Sequence, residues 1–246
     1  MRLDQLLVER GLFPSRERAR RAVMAGTVEV DGRRVDKPGT AVADEARLEL
    51  IGRGEPYASR AGRKLEAALD AFGVSPAGRV CLDVGASTGG FTDCLLQRGA
   101  ERVYAVDVGY GQLDYRLRND PRVVVMERIN VRYLEPDALP EAVDLFTVDV
   151  SFISLTKVVP ALLPHLARPG GEMLTLIKPQ FEAGREQVGK GGIVRDEAVR
   201  SRVIAETAEA LGRLDGLELA GVVDSEVPGT GGNREAFGWF RAEGTA

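Results

Sequence analysis

The chain has 246 residues, 44% of them hydrophobic and 28% charged, which is ample material for a core and excludes a disordered or collagenous chain. No run of ~18 apolar residues could span a bilayer, Asp4 interrupts the start before a signal-peptide stretch can form, and Cys81 and Cys94 make no disulfide framework or zinc site alone, so a soluble cytoplasmic protein is expected. The net charge of −4 disfavours a nucleic-acid binder only as an average: residues 1–60 hold 12 Lys/Arg and 10 Asp/Glu, a net +2, whereas residues 61–246 hold 21 and 27, a net −6.

Two styles of sequence meet near residue 52. Leu3, Leu6 and Leu7 predict a short helix that stops at Gly11. Ser15 caps a second helix over 16–25, with Ala19, Ala22 and Val23 inward, Gly26 at its end, and Arg16, Arg18, Arg20 and Arg21 outside the inner face. Residues 28–35 read as a hairpin, because Asp31-Gly32 suits the two positive φ angles of a type I′ turn and sets Val28 against Val35. Leu48 and Leu50 alternate along a last strand. Glycine and proline in Gly52-Arg53-Gly54-Glu55-Pro56 then mark a linker.

Beyond it, Leu65, Ala68, Leu69 and Phe72 recur at i, i+3, i+4 and i+7, the stripe of an amphipathic helix. Apolar strands are predicted at 80–84, 103–108, 123–126, 145–150 and 173–177, with helical segments at 89–98, 111–118 and 156–167. A long helix over 196–213 precedes strands at 219–223 and 236–240, which would close the sheet as an antiparallel pair. Strands apolar on both faces and alternating with helices predict an α/β fold, a doubly wound, mostly parallel Rossmann-like sheet. The domains are placed at 1–52 and 61–246, with 53–60 between them.

Gly85-Ala86-Ser87-Thr88-Gly89-Gly90-Phe91 joins the first strand of that sheet to its helix. Glycines there let a ligand approach the backbone beside a helix N-terminus. Asp107, 22 residues after Gly85, ends the next strand, where an acid holds a ribose diol in nucleoside-binding sheets. The Gly-x-x-x-Gly-Gly spacing departs from the dinucleotide fingerprint and suits a nucleoside without phosphates, such as S-adenosylmethionine. The same residues spell the Gly-x-Ser-x-Gly elbow of serine hydrolases, which would require a histidine in a late loop. His165, the only histidine, precedes a later strand and suits a helix end better.

Four charged residues fall at ends of elements: Lys64 at the start of the domain's first helix, Asp149 and Lys178 after strands, and Glu235 before the last strand. In open α/β sheets the carboxyl edge is where ligands bind. Two lysines and two acids converging there could move a proton, and a lysine serves as a base when burial or a neighbouring cation lowers its pKa.

Five segments together carry a more specific likeness: Ser59–Leu65, Asp83–Asp93, Asp149–Leu155, Ile177–Gly184 and Gly189–Asp196. With them the chain resembles the TlyA (haemolysin A) family of 2′-O-ribose rRNA methyltransferases related to FtsJ, over nearly its whole length. The resemblance implies a Lys64, Asp149, Lys178 and Glu235 tetrad with Lys178 as the base candidate. It implies an S-adenosylmethionine site at Asp83, Gly85, Ala86, Ser87, Gly89, Gly90, Phe91, Asp107, Asn130 and Asp149, with Asn130 near the adenine. No metal is expected, because the leaving group is neutral. Two departures stand out. Ala61 replaces an expected glycine, and the segment upstream of the Gly232-Asn233-Arg234-Glu235 core differs.

Residues 1–50 resemble the family's S-four-type RNA-binding domain. Four arginines on one helix, with Arg33 and Arg34 on the hairpin, suit phosphate contacts on folded RNA, as against a solvated helix neutralised by Glu17, Glu29 and Asp31. The loop from Phe181 to Ile193, bearing Arg185, Lys190 and four glycines, could close over a ligand. The expected partners are ribosomal RNA and its subunits, with a cytidine of assembled subunits as the target. The alternatives are a non-catalytic RNA-binding or assembly protein and a membrane-lytic haemolysin, for which no strongly amphipathic lipid-facing segment is legible.

Overall fold

The computed structural model describes residues 1–24, 26–50, 56–167 and 169–243. Two compact units divide at Pro56/Tyr57. The last residue of the expected second helix, Ala25, and linker residues 52–55 lie outside the described residues.

The first unit holds α1 (Leu3–Glu9), α2 (Arg16–Met24), β1 (Val28–Val30), β2 (Arg33–Arg34) and β3 (Leu48–Leu50), with strand order β2-β1-β3. Asp31 at φ 50° and Gly32 at φ 75° form the primed turn, and the Val35 amide donates to the Val28 carbonyl at 3.1 Å. Leu3, Leu7, Ala19, Val23 and Val28 are fully buried in one small core.

The second unit begins with α3 (Ala61–Phe72) and β4 (Val80–Val84), followed by α4 (Gly90–Gln97), β5 (Arg102–Asp107), α5 (Tyr115–Arg118) and β6 (Val123–Glu127). After the crossover come β7 (Leu145–Val148), α6 (Val159–Leu162), β8 (Glu172–Ile177), α7 (Pro179–Glu182), α8 (Glu197–Gly212), β9 (Leu217–Asp224) and β10 (Ala236–Ala242). The strand order is β6-β5-β4-β7-β8-β10-β9. Strands β4 to β8 are mutually parallel, and β10 runs antiparallel to both its neighbours. Cores form on both faces: α3 and α4 cover one, and α8 with the 155–166 segment covers the other.

Two expected helices are shorter than the sequence implies. Of 111–118 only the turn Tyr115–Arg118 is helical, because Gly111 takes φ 71° and Asp114 caps the turn by accepting from the Arg116 amide. The 156–167 segment breaks into the turns Leu155–Lys157, Val159–Leu162 and Leu163–His165, since Pro160 and Pro164 supply no backbone donor. Strand β7 ends at Val148, two residues short of expectation. The Asp149 amide makes the last bond across, to the Val84 carbonyl at 2.9 Å, and the chain then turns outward.

Candidate active site

The strand order reverses between β4 and β7, and the crevice beyond their carboxyl ends is where an open α/β sheet binds ligands. Gly85 leaves β4 at φ 85°, and a Cβ there would stand 2.3 Å from the Asp149 carbonyl oxygen. No other residue fits that position, both for its φ and for the adjoining backbone. The loop is held to the next strand by bonds from the Gly85 and Ala86 amides to the Val106 carbonyl, at 2.8 and 3.1 Å.

A cleft of about 530 Å³ opens at this point, a size suited to a small ligand. Gly85, Ser87, Asp107, Asn130 and Asp149 line it, together with apolar walls from Val106, Ile129 and Val150. Asp107 accepts the Ser87 amide at 2.8 Å and the Gly109 amide at 2.6 Å, so its carboxylate is fixed in direction at the tip of β5. An anchored acid, a side-chain-free approach at Gly85 and flat apolar walls fit a nucleoside. Gly90 and Phe91 are buried beneath the loop, the Phe91 ring packing 6.0 Å from that of Phe237, and neither they nor Ala86 and Gly89 line the cleft.

Asp83 is fully buried and also does not line it. Thr92 donates to one of its oxygens at 2.7 Å and Thr147 to the other at 3.2 Å. Burial pushes its carboxyl up to about 7 against the bond from Thr92, with the charge of Asp149 adding to the rise.

The four strand-end charges form two ion pairs at the same edge. Lys64 Nζ donates to Glu235 Oε2 at 2.6 Å, with both side chains nearly excluded from solvent. Lys178 Nζ lies 2.5 Å from Asp149 Oδ1, while its directed hydrogen bond goes to Ser151 Oγ at 2.9 Å. In the β8–β10 ladder Ala236 faces Ile177, so Glu235 and Lys178 stand side by side one residue past the last pair. The antiparallel insertion of β10 therefore brings the two pairs to neighbouring positions.

Several residues here escaped sequence reading. Ser151 receives the Lys178 bond. Phe152 lines the cleft, 90% exposed as a residue and with φ at 65°, a conformation rare for an aromatic residue. Its ring packs 5.0 Å from that of Phe181, and Glu182, whose carboxyl burial raises, accepts the Leu155 amide at 2.8 Å to pin this loop onto α7. Ser151 and Phe152 fall inside the Asp149–Leu155 segment, but spacing alone assigns a role there only to Asp149. The hydrolase reading fails on geometry. His165 is buried, and its carbonyl accepts the Val143 amide ahead of β7, at the amino edge of the sheet, whereas Ser87 lies past the carboxyl end of β4.

On the first unit, the candidate arginines separate. Arg16 Nε lies 3.0 Å from Oδ2 of the fully buried Asp4, which Arg2 also holds; these two guanidiniums, Arg2 foremost, keep its carboxyl below the usual range. Arg21 pairs with Glu17 at 2.5 Å, and Arg34 donates to the Gly26 carbonyl. Arg18 is half-buried, while Arg20 and Arg33 are exposed.

Comparison with known families matches residues 57–242 to the FtsJ-like methyltransferases and residues 1–48 to the S4 domain. The chain is 49% identical over 243 residues to the 16S/23S rRNA (cytidine-2′-O)-methyltransferase TlyA of Mycobacterium tuberculosis, spanning 98% of this chain and 90% of that protein. It is 41% identical over 242 residues to hemolysin A of Brachyspira hyodysenteriae, spanning 98% and 99%. A solved structure from Streptococcus thermophilus, described as a candidate hemolysin, matches with TM-score 0.74 at 43% identity, over 100% of this chain and 91% of that one.

Proposed function

The chain belongs to the FtsJ-like methyltransferase family, in its TlyA (haemolysin A) branch with an N-terminal S4 domain, and on that premise we propose that it methylates the ribose 2′-hydroxyl of a cytidine in ribosomal RNA, within assembled subunits in the cytoplasm. The observation that carries this reading is the Lys178–Asp149 ion pair, set beside the Lys64–Glu235 pair at the mouth of a nucleoside-sized cleft.

The methyl donor is S-adenosylmethionine, which supplies an electrophilic methyl group on a sulfonium whose departure leaves a neutral thioether. Asp107 would accept from the ribose hydroxyls, Gly85 would admit the ligand to the backbone, and Asn130, which also lines the cleft, would face the adenine. Lys178 relays the proton of the 2′-hydroxyl: its ammonium passes one proton to the paired Asp149 carboxylate as it takes the one released by the attacking oxygen, and its bond to Ser151 fixes its direction. Lys64 and Glu235 complete the charge network. Alignment of the attacking oxygen is the larger part of the rate gain in such a displacement. The exposed Phe152 ring, braced by Phe181, offers a face on which the target base can stack.

Lys178→Ala is expected to abolish methyl incorporation into ribosomal subunits while cofactor binding persists. Undiminished incorporation from labelled cofactor would remove Lys178 from the mechanism. Among the described residues, no helix is long and apolar enough to cross a membrane.

A further inference from the structure

A buried amide stands just upstream of Glu235. Asn233, two residues upstream and 4% exposed, bridges two glycine-rich loops: its Oδ1 accepts the Val194 amide at 3.1 Å, and its Nδ2 donates to the Gly192 carbonyl at 2.8 Å. Its own carbonyl accepts the Gly229 amide at 2.8 Å, which closes the loop on itself. Gly229 then lies directly against the catalytic candidate, since a Cβ there would stand 2.1 Å from Glu235 Oε1.

The facing loop is closed in the same way. The Gly189 amide donates to the Ile193 carbonyl and the Gly192 amide to the Gly189 carbonyl, both at 3.0 Å. This loop is exposed at Gly189–Gly192 and carries Lys190. A second tie comes from α8, where buried Arg200 donates through Nε to the Arg234 carbonyl at 3.0 Å and pairs with Asp224 and Glu197.

We propose that Asn233 is a positioning residue for methyl transfer: by locking the Gly189–Val194 segment to the Gly229–Glu235 turn, it sets the Glu235 carboxylate against Lys64 and couples the exposed basic loop to the Lys64–Glu235 pair. This rests on the reading of Glu235 as part of the catalytic network. A planar amide suits the task, because it presents one acceptor and one donor to two backbone groups of the neighbouring loop. Aspartate in its place keeps the shape and the acceptor for Val194, but it sets a carboxylate oxygen against the Gly192 carbonyl and so breaks the second bond.

The test compares Asn233→Asp, Asn233→Ala, Glu235→Gln and the Asn233→Asp/Glu235→Gln double variant, using labelled S-adenosylmethionine and isolated ribosomal subunits. The Asn233 variants are expected to lower kcat on the order of 10- to 100-fold, the cost of a small misplacement at a reacting centre. Both Asn233 variants leave a buried backbone group unpaired, so Tm should fall by a few degrees, while cofactor Kd and the KM for subunits should stay near wild type and Asn233→Asp should add little to the loss of kcat in the Glu235→Gln background. A merely structural role would move cofactor Kd and subunit KM together with kcat, and that result overturns the proposal. Wild-type kcat in the Asn233 variants beside an inactive Glu235→Gln overturns the proposal and leaves the reading of Glu235 standing. Full activity of Glu235→Gln overturns the premise and the proposal with it. Should Asn233→Ala fail to fold, the near-isosteric Asn233→Asp carries the measurement.

Discussion

At the scale of single residues, the end of β4 and the loop it feeds combine two opposed demands. Gly85 must have no side chain, since the Asp149 carbonyl occupies the place of its Cβ. Asp83, on β4, is an acid in a place that disfavours charge, fully buried with threonine donors from α4 and β7. Its carboxyl, pushed up to about 7 by burial, lies above the ordinary value of ~3.9 that it has in the unfolded chain. The folded protein therefore binds this proton more tightly than the unfolded one. The stability it contributes is complete below about pH 4 and is lost as pH rises to about 7. Asp83→Asn cannot ionise, so its stability relative to wild type should improve across that window. Urea unfolding at a series of pH values checks this, and parallel wild-type and variant curves would show that Asp83 does not titrate there.

At the scale of elements, capping and punctuation decide where helices hold. Asp196 accepts the Ala198 and Val199 amides and starts α8 cleanly, whereas Pro160 and Pro164 cut the 156–167 segment into turns. Charge on α2 divides between structure and surface. Arg16 reaches across to the buried Asp4 of α1, so it joins the two helices, and half its side chain remains in solvent. Arg16→Ala should cost about 1 kcal/mol, the scale of a partly exposed hydrogen bond to a charged group. Thermal unfolding of the variant would register it; an unchanged Tm would mean that Arg2 alone satisfies Asp4.

At the scale of the whole molecule, the acidic average conceals an uneven distribution, +2 over residues 1–60 against −6 over the rest. Long-range attraction to RNA follows the local distribution of charge, because screening confines each patch to about 10 Å at 0.1 M salt. Arg20 and Arg33 are exposed, and no ion pair shown among the described residues engages either of them. Arg20→Ala and Arg33→Ala should each weaken subunit binding and reduce the slope of log affinity against log salt by about 1, with cofactor binding unaltered. Filter binding across a salt series measures it. A slope unchanged in both variants would place the phosphate contacts elsewhere.

Much of the architecture is legible from the chain alone. Apolar runs of strand length alternating with helical stripes are enough for a doubly wound sheet, because backbone hydrogen bonding leaves few ways to bury both. Gly85 and Asp107 stand out because backbone approach and ribose binding need those residue types at strand ends. The charged positions Lys64, Asp149, Lys178 and Glu235 are visible as well, but their partners are not. Lys64 meets Glu235 across 171 residues, and Glu235 comes beside Lys178 only because β10 inserts antiparallel between β8 and β9. Periodicity reports which faces of an element are apolar and carries no information about strand order. Residue types and their spacing set the class of most elements and the chemistry available at their ends, whereas which of those ends meet follows from the order in which the strands hydrogen-bond.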